Sequence, residues 1–315
     1  MTRLLCLLLM LLPLTAAAQS YPAKPVRIIV PFPAGGTTDL IARMVQPKFQ
    51  EFLGVQTIIE NKGGAAGAIG ANEAARSAPD GYTLLMVFDT HATNHLIYKE
   101  ALDPFKTLEH LMLMVTSPST LVAVPNFAPS TLKDLIARAK QDAGKVTYAT
   151  TGTASSNHFC GLQLEQAAGV KMTQVPYKGG GPMIQALLGQ QVDVACISTP
   201  LILPHIRSGK VKAIASGGAK RLAQLPDLPT LGETFPGMQM VSWFGLLAPA
   251  GVPKDITARV RRDMQRALED PGTRQKLVDA GFDVVASSPE EFLRFVQGES
   301  DKLGKLIRDN NIKVE

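Results

Sequence analysis

The sequence predicts an α/β protein of two lobes, each a mainly parallel sheet flanked by helices, with a ligand cleft between the lobes. Short β-rich runs alternate with helical stretches along nearly the whole chain, which is typical of layered α/β folds. The chain has 315 residues, more than the roughly 100–200 residues of a typical domain. Two lobes are therefore expected, and the loops at the carboxyl ends of their strands should line the cleft.

The first 20 residues have the pattern of a signal peptide. Arg3 precedes an unbroken apolar stretch from Leu4 to Leu12, and small residues close the segment at Ala16–Ala18. The apolar run is too short to cross about 30 Å of hydrocarbon, whereas a short run before small residues is typical of a cleaved leader. We therefore expect residues 1–20 to be removed and the mature protein to be periplasmic.

Two long extended apolar stretches, at 111–125 and 241–248, interrupt the alternation of strands and helices. The α/β pattern restarts after the first stretch, and further helices follow the second. We interpret both stretches as crossings between lobes. Residues 21–122 and 243–315 are therefore assigned to lobe 1, and residues 123–242 to lobe 2.

The composition is that of an ordinary globular protein and excludes a nucleic-acid reader. The net charge is +5, and aromatic residues make up 6% of the chain with a single Trp. A nucleic-acid-binding protein would concentrate basic residues in a stripe with interleaved aromatics, whereas here they are scattered among acidic residues. We expect no nucleic-acid partner, and the mild positive excess suits a small anionic ligand.

Without the leader the chain keeps only two cysteines, Cys160 and Cys196. This is far below the cysteine density of a small disulfide-rich scaffold, so the core must hold the fold. Two buried free thiols are the expected state. A single bridge in an oxidising compartment is the alternative.

The strongest candidate for ligand binding is a glycine-rich loop between the first predicted strand and the first predicted helix. Glycines let backbone N–H groups approach a ligand closely, and a helix N-terminus presents unpaired donors with positive partial charge. Threonine hydroxyls add further donors. An ordinary turn with a threonine N-cap is the competing interpretation. The candidate residues are Phe32, Ala34, Gly35, Gly36, Thr37 and Thr38.

A loop of similar character at 152–158 precedes a predicted helix of lobe 2 and is again rich in small hydrogen-bond donors. This repetition favours the functional interpretation of both loops. The loop at 177–181 adds Lys178, the one basic side chain that we place beside the cleft. A solvated surface charge is the alternative for Lys178.

Motifs of common enzyme classes are missing from the sequence. It contains no G-x-S-x-G elbow and no G-x-x-x-x-G-K-[ST] loop. His91 and His95, with Asp89 nearby, raise the possibility of a zinc site, but no H-E-x-x-H motif or evident third ligand accompanies them. Cys160 and His158 lie two residues apart on a predicted helix and so point in different directions. We expect no catalytic residue, no metal and no cofactor.

Short motifs with one common resemblance cover essentially the whole chain after the leader. They are Val26–Gly36 with Thr38–Arg43, Ile59–Lys62, Pro79–Leu85, Val175–Gly179, Leu203–Ile206, Leu225–Thr230 and Ser242–Pro249. On these residues the sequence resembles the Bug (TctC-like) extracytoplasmic solute receptors of tripartite tricarboxylate transporters.

The resemblance implies a type II periplasmic-binding-protein fold and delivery of a solute to a large and a small integral membrane subunit. It also implies that the first strand–helix loop holds a ligand carboxylate, largely through backbone groups, while lobe 2 closes over it. By position, Asp39 would help to order that loop. The implied contacts from lobe 2 are Ser155, Ser156, Asn157 and His158.

Residues at other strand ends complete the candidate set, namely Asp89, Thr90, His91, Thr151, Tyr177, Lys178, Ser198 and Thr199. The sequence departs from the family pattern at His95, where Asn-Pro is common, and at Cys196-Ile197, where Phe-Asp often occurs; we expect both near the cleft. Loss of an acid near Ile197 argues against an amino acid, whose ammonium needs a carboxylate partner. A dicarboxylate, tricarboxylate or aromatic carboxylate is favoured.

The predicted function is capture of a small organic carboxylate for a tripartite tricarboxylate-type transporter, by a protein that is not an enzyme. Presentation of the loaded receptor to a two-component sensor kinase is the alternative. A secreted hydrolase with a similar cleft is a third possibility, and it predicts turnover of the bound acid. A monomer is expected by analogy with such receptors.

Overall fold

Strands and helices alternate throughout the computed structural model, which describes residues 21–312. The predicted leader lies outside these residues. The strands are β1 (Val26–Val30), β2 (Thr57–Asn61), β3 (Thr83–Phe88), β4 (Leu108–Ala123), β5 (Thr147–Thr150), β6 (Thr173–Pro176), β7 (Val194–Ser198), β8 (Lys212–Ser216), β9 (Val241–Pro249) and β10 (Asp283–Val284).

The longer helices are α1 (Thr37–Leu53), α2 (Ala68–Ala75), α5 (Leu132–Gln141), α6 (Ser156–Ala168), α7 (Gly180–Leu188), α8 (Thr199–Arg207), α10 (Lys254–Glu269), α11 (Pro271–Ala280) and α12 (Pro289–Asp309). Single-turn helices are α3 (Asn94–Ile97), α4 (Pro104–Thr107) and α9 (Leu231–Thr234), and 3₁₀ turns occur at Ala65–Gly67 and Asp89–Ala92. In the described part of the chain, no helix combines the length and the apolar character needed to span a membrane.

The strands form two groups that share β4. In the first group the order is β2-β1-β3-β9-β4, and β10 also pairs with β4. In the second group the order is β4-β7-β5-β6, and β8 also pairs with β4. The pairs β1–β2, β1–β3, β5–β6 and β5–β7 are parallel, whereas β4 and β9 add antiparallel pairs. The predicted α/β architecture, with parallel strands at the centre of each lobe, is confirmed.

Strand β4 carries the chain from one group to the other. Its residues 108–118 pair with β9, its residues 119–123 pair with β7, and its residues 120–123 also pair with β8. The predicted lobe boundaries, at 122/123 and 242/243, fall on β4 and β9. Two strands thus connect the groups, and the loops that precede helices α1 and α6 face each other across the space between them.

Apolar residues at helical spacing bury one face of α1 against the first group of strands. Ile41, Val45 and Phe49 are fully buried, whereas Arg43 between them is exposed. Burial of each such side chain contributes about 1.5–3 kcal/mol. Helix α1 ends at Gly54, whose left-handed conformation lets its N–H bond to the Gln50 carbonyl. This packing fixes the N-terminus of α1 at the edge of the sheet.

The two cysteines are bonded to each other, so the expectation of free thiols is wrong. Cys160 lies on α6 and Cys196 on β7, and the helix packs against that strand in the core of the second group. Both residues are buried. The predicted burial of both cysteines is confirmed. Their bond forms because the packing of α6 on β7 brings together two positions that are 36 residues apart in the chain.

Candidate ligand-binding cleft

A cleft of about 950 Å³ lies between the two groups of strands. The loops that follow β1, β2 and β3 line one side, and those that follow β5, β6 and β7 line the other. This is the position at which open α/β sheets bind ligands. The residues predicted from the sequence that line it are Phe32, Ala34, Gly36, Thr37, Thr38, Thr90, Thr151, Asn157, Tyr177, Lys178 and Ser198.

The N-terminus of α1 opens into this cleft without a side-chain cap. Gly36 is the N-cap residue, its backbone is extended, and no side chain of residues 21–312 bonds to the helix end. Thr37 and Thr38 follow in the first turn, where N–H groups have no intrahelical acceptor. Both residues line the cleft. A 17-residue helix therefore presents free donors and positive partial charge to a ligand.

Asp39 anchors the loop that precedes α1. Its carboxylate accepts hydrogen bonds from the Gly35 N–H at 3.0 Å, Arg43 Nε at 2.9 Å and Asn61 Nδ2 at 3.1 Å. Asn61 Nδ2 also donates to the Phe32 carbonyl at 3.1 Å. Burial raises the pKa of Asp39, but these hydrogen bonds and the Arg43 charge outweigh it and hold the pKa below its usual value. Asp39 and Gly35 do not line the cleft; they shape the loop that does.

Replacing Asp39 with Asn should destabilise the protein by about 2–3 kcal/mol, because the amide loses charge-assisted bonds and places a donor opposite other donors. Urea unfolding monitored by Trp243 fluorescence measures the loss. Asp227→Asn, an exposed site, is the matched control. Equal unfolding midpoints for the two variants would contradict the anchoring role of Asp39.

In lobe 2, Asn157 lines the cleft in a fixed orientation. Its Nδ2 donates to the Cys196 carbonyl, and its Oδ1 accepts from Thr151 Oγ1 at 2.9 Å. Ser155 and His158 lie beneath this surface and shape the loop. The Ser155 side chain caps α6 by accepting from the His158 N–H, and His158 Nδ1 accepts from the Ala154 N–H at 2.9 Å. Burial lowers the pKa of His158 to about 4, so its ring is neutral at pH 7.

Four other candidates lie away from the cleft. Thr199 bonds to Thr120 Oγ1 at 2.8 Å and to the Pro118 carbonyl at 2.6 Å, which ties α8 to β4. His91 is buried beside His110. Asp89 and Ser156 face a separate, smaller pocket. The 3₁₀ turn after β3 is the physical reason for the placement of Asp89 and His91, because it directs both side chains inward.

The residue His95 also lies outside the cleft, contrary to the expectation from its departure from the family pattern. Its ring packs edge-on against Phe105, next to a small buried space that His91 also lines. Among residues 21–312, no three His, Cys, Asp or Glu side chains come together in the manner of metal ligands. Of the second departure, Ile197 lines the cleft, whereas Cys196 is in the disulfide.

The buried histidines predict a loss of stability in acid. Burial lowers the pKa of His91 from 6.5 to about 3 and that of His110 to about 4. The unfolded chain therefore binds more protons as the pH falls from 6.5 towards 4, and stability falls with it. His110→Phe should reduce the loss between pH 7 and pH 4.5 by about 2 kcal/mol. Urea unfolding at the two pH values measures this difference, with His205→Gln as control; an unchanged loss would contradict the assignment.

Several cleft residues were not singled out from the sequence. They are Gly63–Gly67, Phe88, Tyr98, Pro176, Gly179–Met183, Leu201 and Ser242, together with Pro33 and Gly152. At Gly67 the glycine itself was a sequence signal, because glycine often marks a backbone conformation that other residues avoid. The structure shows the reason: the backbone is left-handed, and a Cβ atom would lie only 3.0 Å from the Phe32 ring. Tyr98 and Ser242 carry no local signal, because chain segments far apart in sequence bring them to the cleft.

Most of the cleft wall is apolar and uncharged. Phe32, Phe88, Tyr98, Tyr177 and Leu201 contribute side chains to it. Within the described part of the chain, Lys178 is the single charged side chain of the lining, and it is exposed. As far as residues 21–312 show, the cleft thus offers backbone donors, hydroxyls and one cation, but no carboxylate.

Comparisons with known proteins agree with this geometry. The model of the tripartite tricarboxylate transporter family receptor matches residues 41–312. A relative from Agrobacterium vitis, the UPF0065 protein in the TAR-I ttuE-ttuC' intergenic region, is 35% identical over 305 residues, which covers 95% of this chain and 88% of that protein.

Solved structures show the same relationship. The periplasmic binding protein BugD is 35% identical with a TM-score of 0.88, over 94% of this chain and 100% of that one. The R. palustris protein Rpa4515, solved with adipate, is 30% identical with a TM-score of 0.89, over 93% of this chain and 99% of that one. The predicted periplasmic-binding-protein fold is thereby confirmed.

Proposed function

Because this chain belongs to the family of tripartite tricarboxylate transporter receptors, we propose that it binds a small organic carboxylate in the cleft between its lobes. The observation that carries the proposal is the uncapped N-terminus of α1. Its free N–H groups, at Thr37 and Thr38, directly follow a loop that Asp39 holds in shape. Preformed donors bind an anion without the cost of ordering the loop.

The electrostatics of the cleft support an anion over a cation or a zwitterion. A carboxylate at the α1 N-terminus gains from the helix dipole and from charge-assisted hydrogen bonds. Lys178 on the opposite lobe adds a positive charge. An amino acid would bury its ammonium group against a wall without a carboxylate, which is unfavourable.

The apolar wall of the cleft indicates that the part of the ligand beyond its carboxylate is apolar. Phe32, Phe88 and Leu201 give an alkyl chain or an aromatic ring surface to pack against. Rpa4515, which shares the fold, was solved with the alkyl dicarboxylate adipate. We therefore favour an acid with an apolar body, either an aromatic carboxylate or an alkyl dicarboxylate whose far end meets Lys178.

Residues 21–122 with 243–315, and residues 123–242, would act as the two lobes that close on this ligand. A Cβ atom added to Gly179 of lobe 2 would lie 3.4 Å from Pro33 Cγ of lobe 1, so the two lobes already approach each other at the cleft rim. Ligand contacts from both lobes would stabilise the closed arrangement by their differential affinity for it.

In the cell, the receptor would be exported through the leader at residues 1–20 and would deliver its ligand to membrane transporter subunits. Deletion of the gene should then abolish uptake of the ligand in labelled-substrate assays. If the deletion strain still takes up the ligand but loses its transcriptional response to the ligand, that result would instead support the sensor-kinase role. Recovery of the bound acid chemically unchanged would exclude a hydrolase.

A thermal-shift screen of the mature protein, from Tyr21, tests ligand binding. The panel contains aromatic acids, alkyl dicarboxylates, tricarboxylates, amino acids and neutral sugars. A ligand at about 100 times its Kd stabilises the native state by about 2.7 kcal/mol, which raises Tm by several degrees. We expect acids with an apolar body to raise Tm. A shift with sugars alone would contradict the proposal, and mass spectrometry of denatured protein detects a ligand retained from the cell.

A further inference from the structure

A second pocket, of about 60 Å³, adjoins the cleft where the two lobes and the crossing strand β9 meet. We call it the crossing pocket. Its polar wall includes Asp89, Thr90, Ser156, Ser242, Glu299 and Lys302. Thr90 and Ser242 also line the cleft, so these two residues lie between the spaces. Its volume accommodates a few atoms, since one water needs about 10–15 Å³ by this measure.

The floor of the crossing pocket carries polar atoms without partners. Asp89 is 7% exposed, and within residues 21–312 its Oδ1 accepts no hydrogen bond. In the same part of the chain, Ser156 Oγ is also buried without a hydrogen bond of normal geometry, although it lies near enough to Asp89 to lower the pKa of that carboxyl. Buried polar atoms normally have partners, because leaving one unsatisfied costs about 1–3 kcal/mol. Two such oxygens facing one pocket indicate a group that binds there.

The charges around the pocket favour a cation. Glu299 of α12 forms the second carboxylate of the wall, and it is 3.6 Å from Lys302 Nζ. The Lys302 side chain is 59% exposed, so it extends towards solvent rather than to the floor. The nearby His91 and His158 have pKa values lowered to about 3 and about 4, mainly by burial, and so carry no positive charge at pH 7.

We propose that the crossing pocket binds a small monovalent cation, an alkali-metal ion or an ammonium group, through the Asp89 carboxylate and the hydroxyl oxygens of Ser156 and Ser242. Carboxylate and hydroxyl oxygens suit hard cations, and buried charges are stable when paired. With Glu299 engaged by Lys302, one buried carboxylate remains to balance one positive charge.

A proton would compete with the cation for the Asp89 carboxylate. Burial raises the pKa of Asp89 well above its usual value, and Glu299 adds to this, although the hydroxyls of Ser242 and Ser156 lower it. Protons therefore compete with the cation for the carboxylate, and a bound proton leaves to solvent when the cation takes its place. Affinity should rise with pH because this competition weakens.

Cation binding in the crossing pocket would also affect the relative arrangement of the two lobes. Asp89 follows β3 of lobe 1, Ser156 begins α6 of lobe 2, and Ser242 lies on β9. A cation bound to all three favours the arrangement of the lobes that brings them together. The inference is independent of the carboxylate ligand and is tested without it.

The experiment measures Tm of the mature full-length chain in KCl, NaCl or NH₄Cl against choline chloride at equal ionic strength, without added carboxylate. We expect a saturable rise of several degrees with at least one small cation, larger at pH 8.5 than at pH 6.5. Asp89→Asn, which resembles the neutral acid in shape and charge, should fold and lose this response. Asp301→Asn, an exposed site on α12, should keep it.

Ser242→Ala provides a second test if Asp89→Asn does not fold, and it should weaken the cation response at least about 5-fold in apparent Kd. A response to K⁺ or Na⁺ alone assigns a metal ion, and a response to NH₄⁺ alone assigns an ammonium group. Equal Tm values in all four salts would overturn the proposal. The same response in Asp89→Asn or Ser242→Ala as in the unmodified protein would also overturn it.

Discussion

The Ala34→Asp variant should fold normally and lose carboxylate binding by at least about 100-fold. Ala34 is exposed in the first loop and lines the cleft beside the α1 N-terminus. Two negative charges about 4 Å apart near a protein surface repel by about 4 kcal/mol, which exceeds the 2.7 kcal/mol of a 100-fold change in Kd. Isothermal titration with the best acid of the thermal-shift panel measures the loss.

Ala34→Asn is the matched control, because it adds a side chain of the same size without the charge. It should bind within about 10-fold of the unmodified protein, since the backbone donors of Thr37 and Thr38 remain available. Similar losses in both variants would mean that bulk rather than charge matters at this loop. That result would contradict the anion-binding role of the α1 N-terminus.

Removing the disulfide should lower the free energy of unfolding by about 3–4 kcal/mol. The bond closes a loop over a sequence separation of 36 residues, and the cross-link stabilises the native state mainly by restricting the unfolded chain. Cys160→Ser, Cys196→Ser and the double variant should therefore lose similar amounts of stability in urea unfolding. A reductant should produce the same loss in the unmodified protein and none in the double variant.

An unmodified protein that unfolds at the same urea concentration with and without reductant would contradict this prediction. The double serine variant also places two hydroxyls in the core of lobe 2, so part of its loss comes from burying polar groups. Cys160→Ala with Cys196→Ala separates this contribution, because alanine brings no hydroxyl. The alanine pair should be less stable than the oxidised unmodified protein and as stable as the reduced unmodified protein. That difference isolates the effect of the cross-link.

Local patterns were sufficient to predict the first loop. A β-rich run, two glycines, two threonines and helical spacing lie within one short segment, and each of these signals depends only on neighbouring residues. The structure places Gly36, Thr37 and Thr38 at the cleft accordingly. The role of Asp39 depends on Asn61 from the next strand, and only the resemblance to a receptor family suggested it.

Features that depend on distant segments could not be predicted. The Cys160–Cys196 bond requires the packing of α6 on β7. Ser242 reaches the cleft because β9 returns between β3 and β4. His91 has the residue type of a ligand-binding group, but the 3₁₀ turn after β3 directs it into the core beside His110. Sequence spacing does not specify how distant segments pack or in which direction a side chain points after such a turn.

Titration with a matched acid and amide tests the central claim most directly. The acid is the one that gives the largest thermal shift, and the amide replaces its carboxylate with a neutral group of the same shape. If the free N–H groups of α1 recognise a negative charge, the amide should bind at least about 100-fold more weakly. Equal affinities for the acid and the amide would contradict the account, because the cleft would then recognise only the body of the ligand.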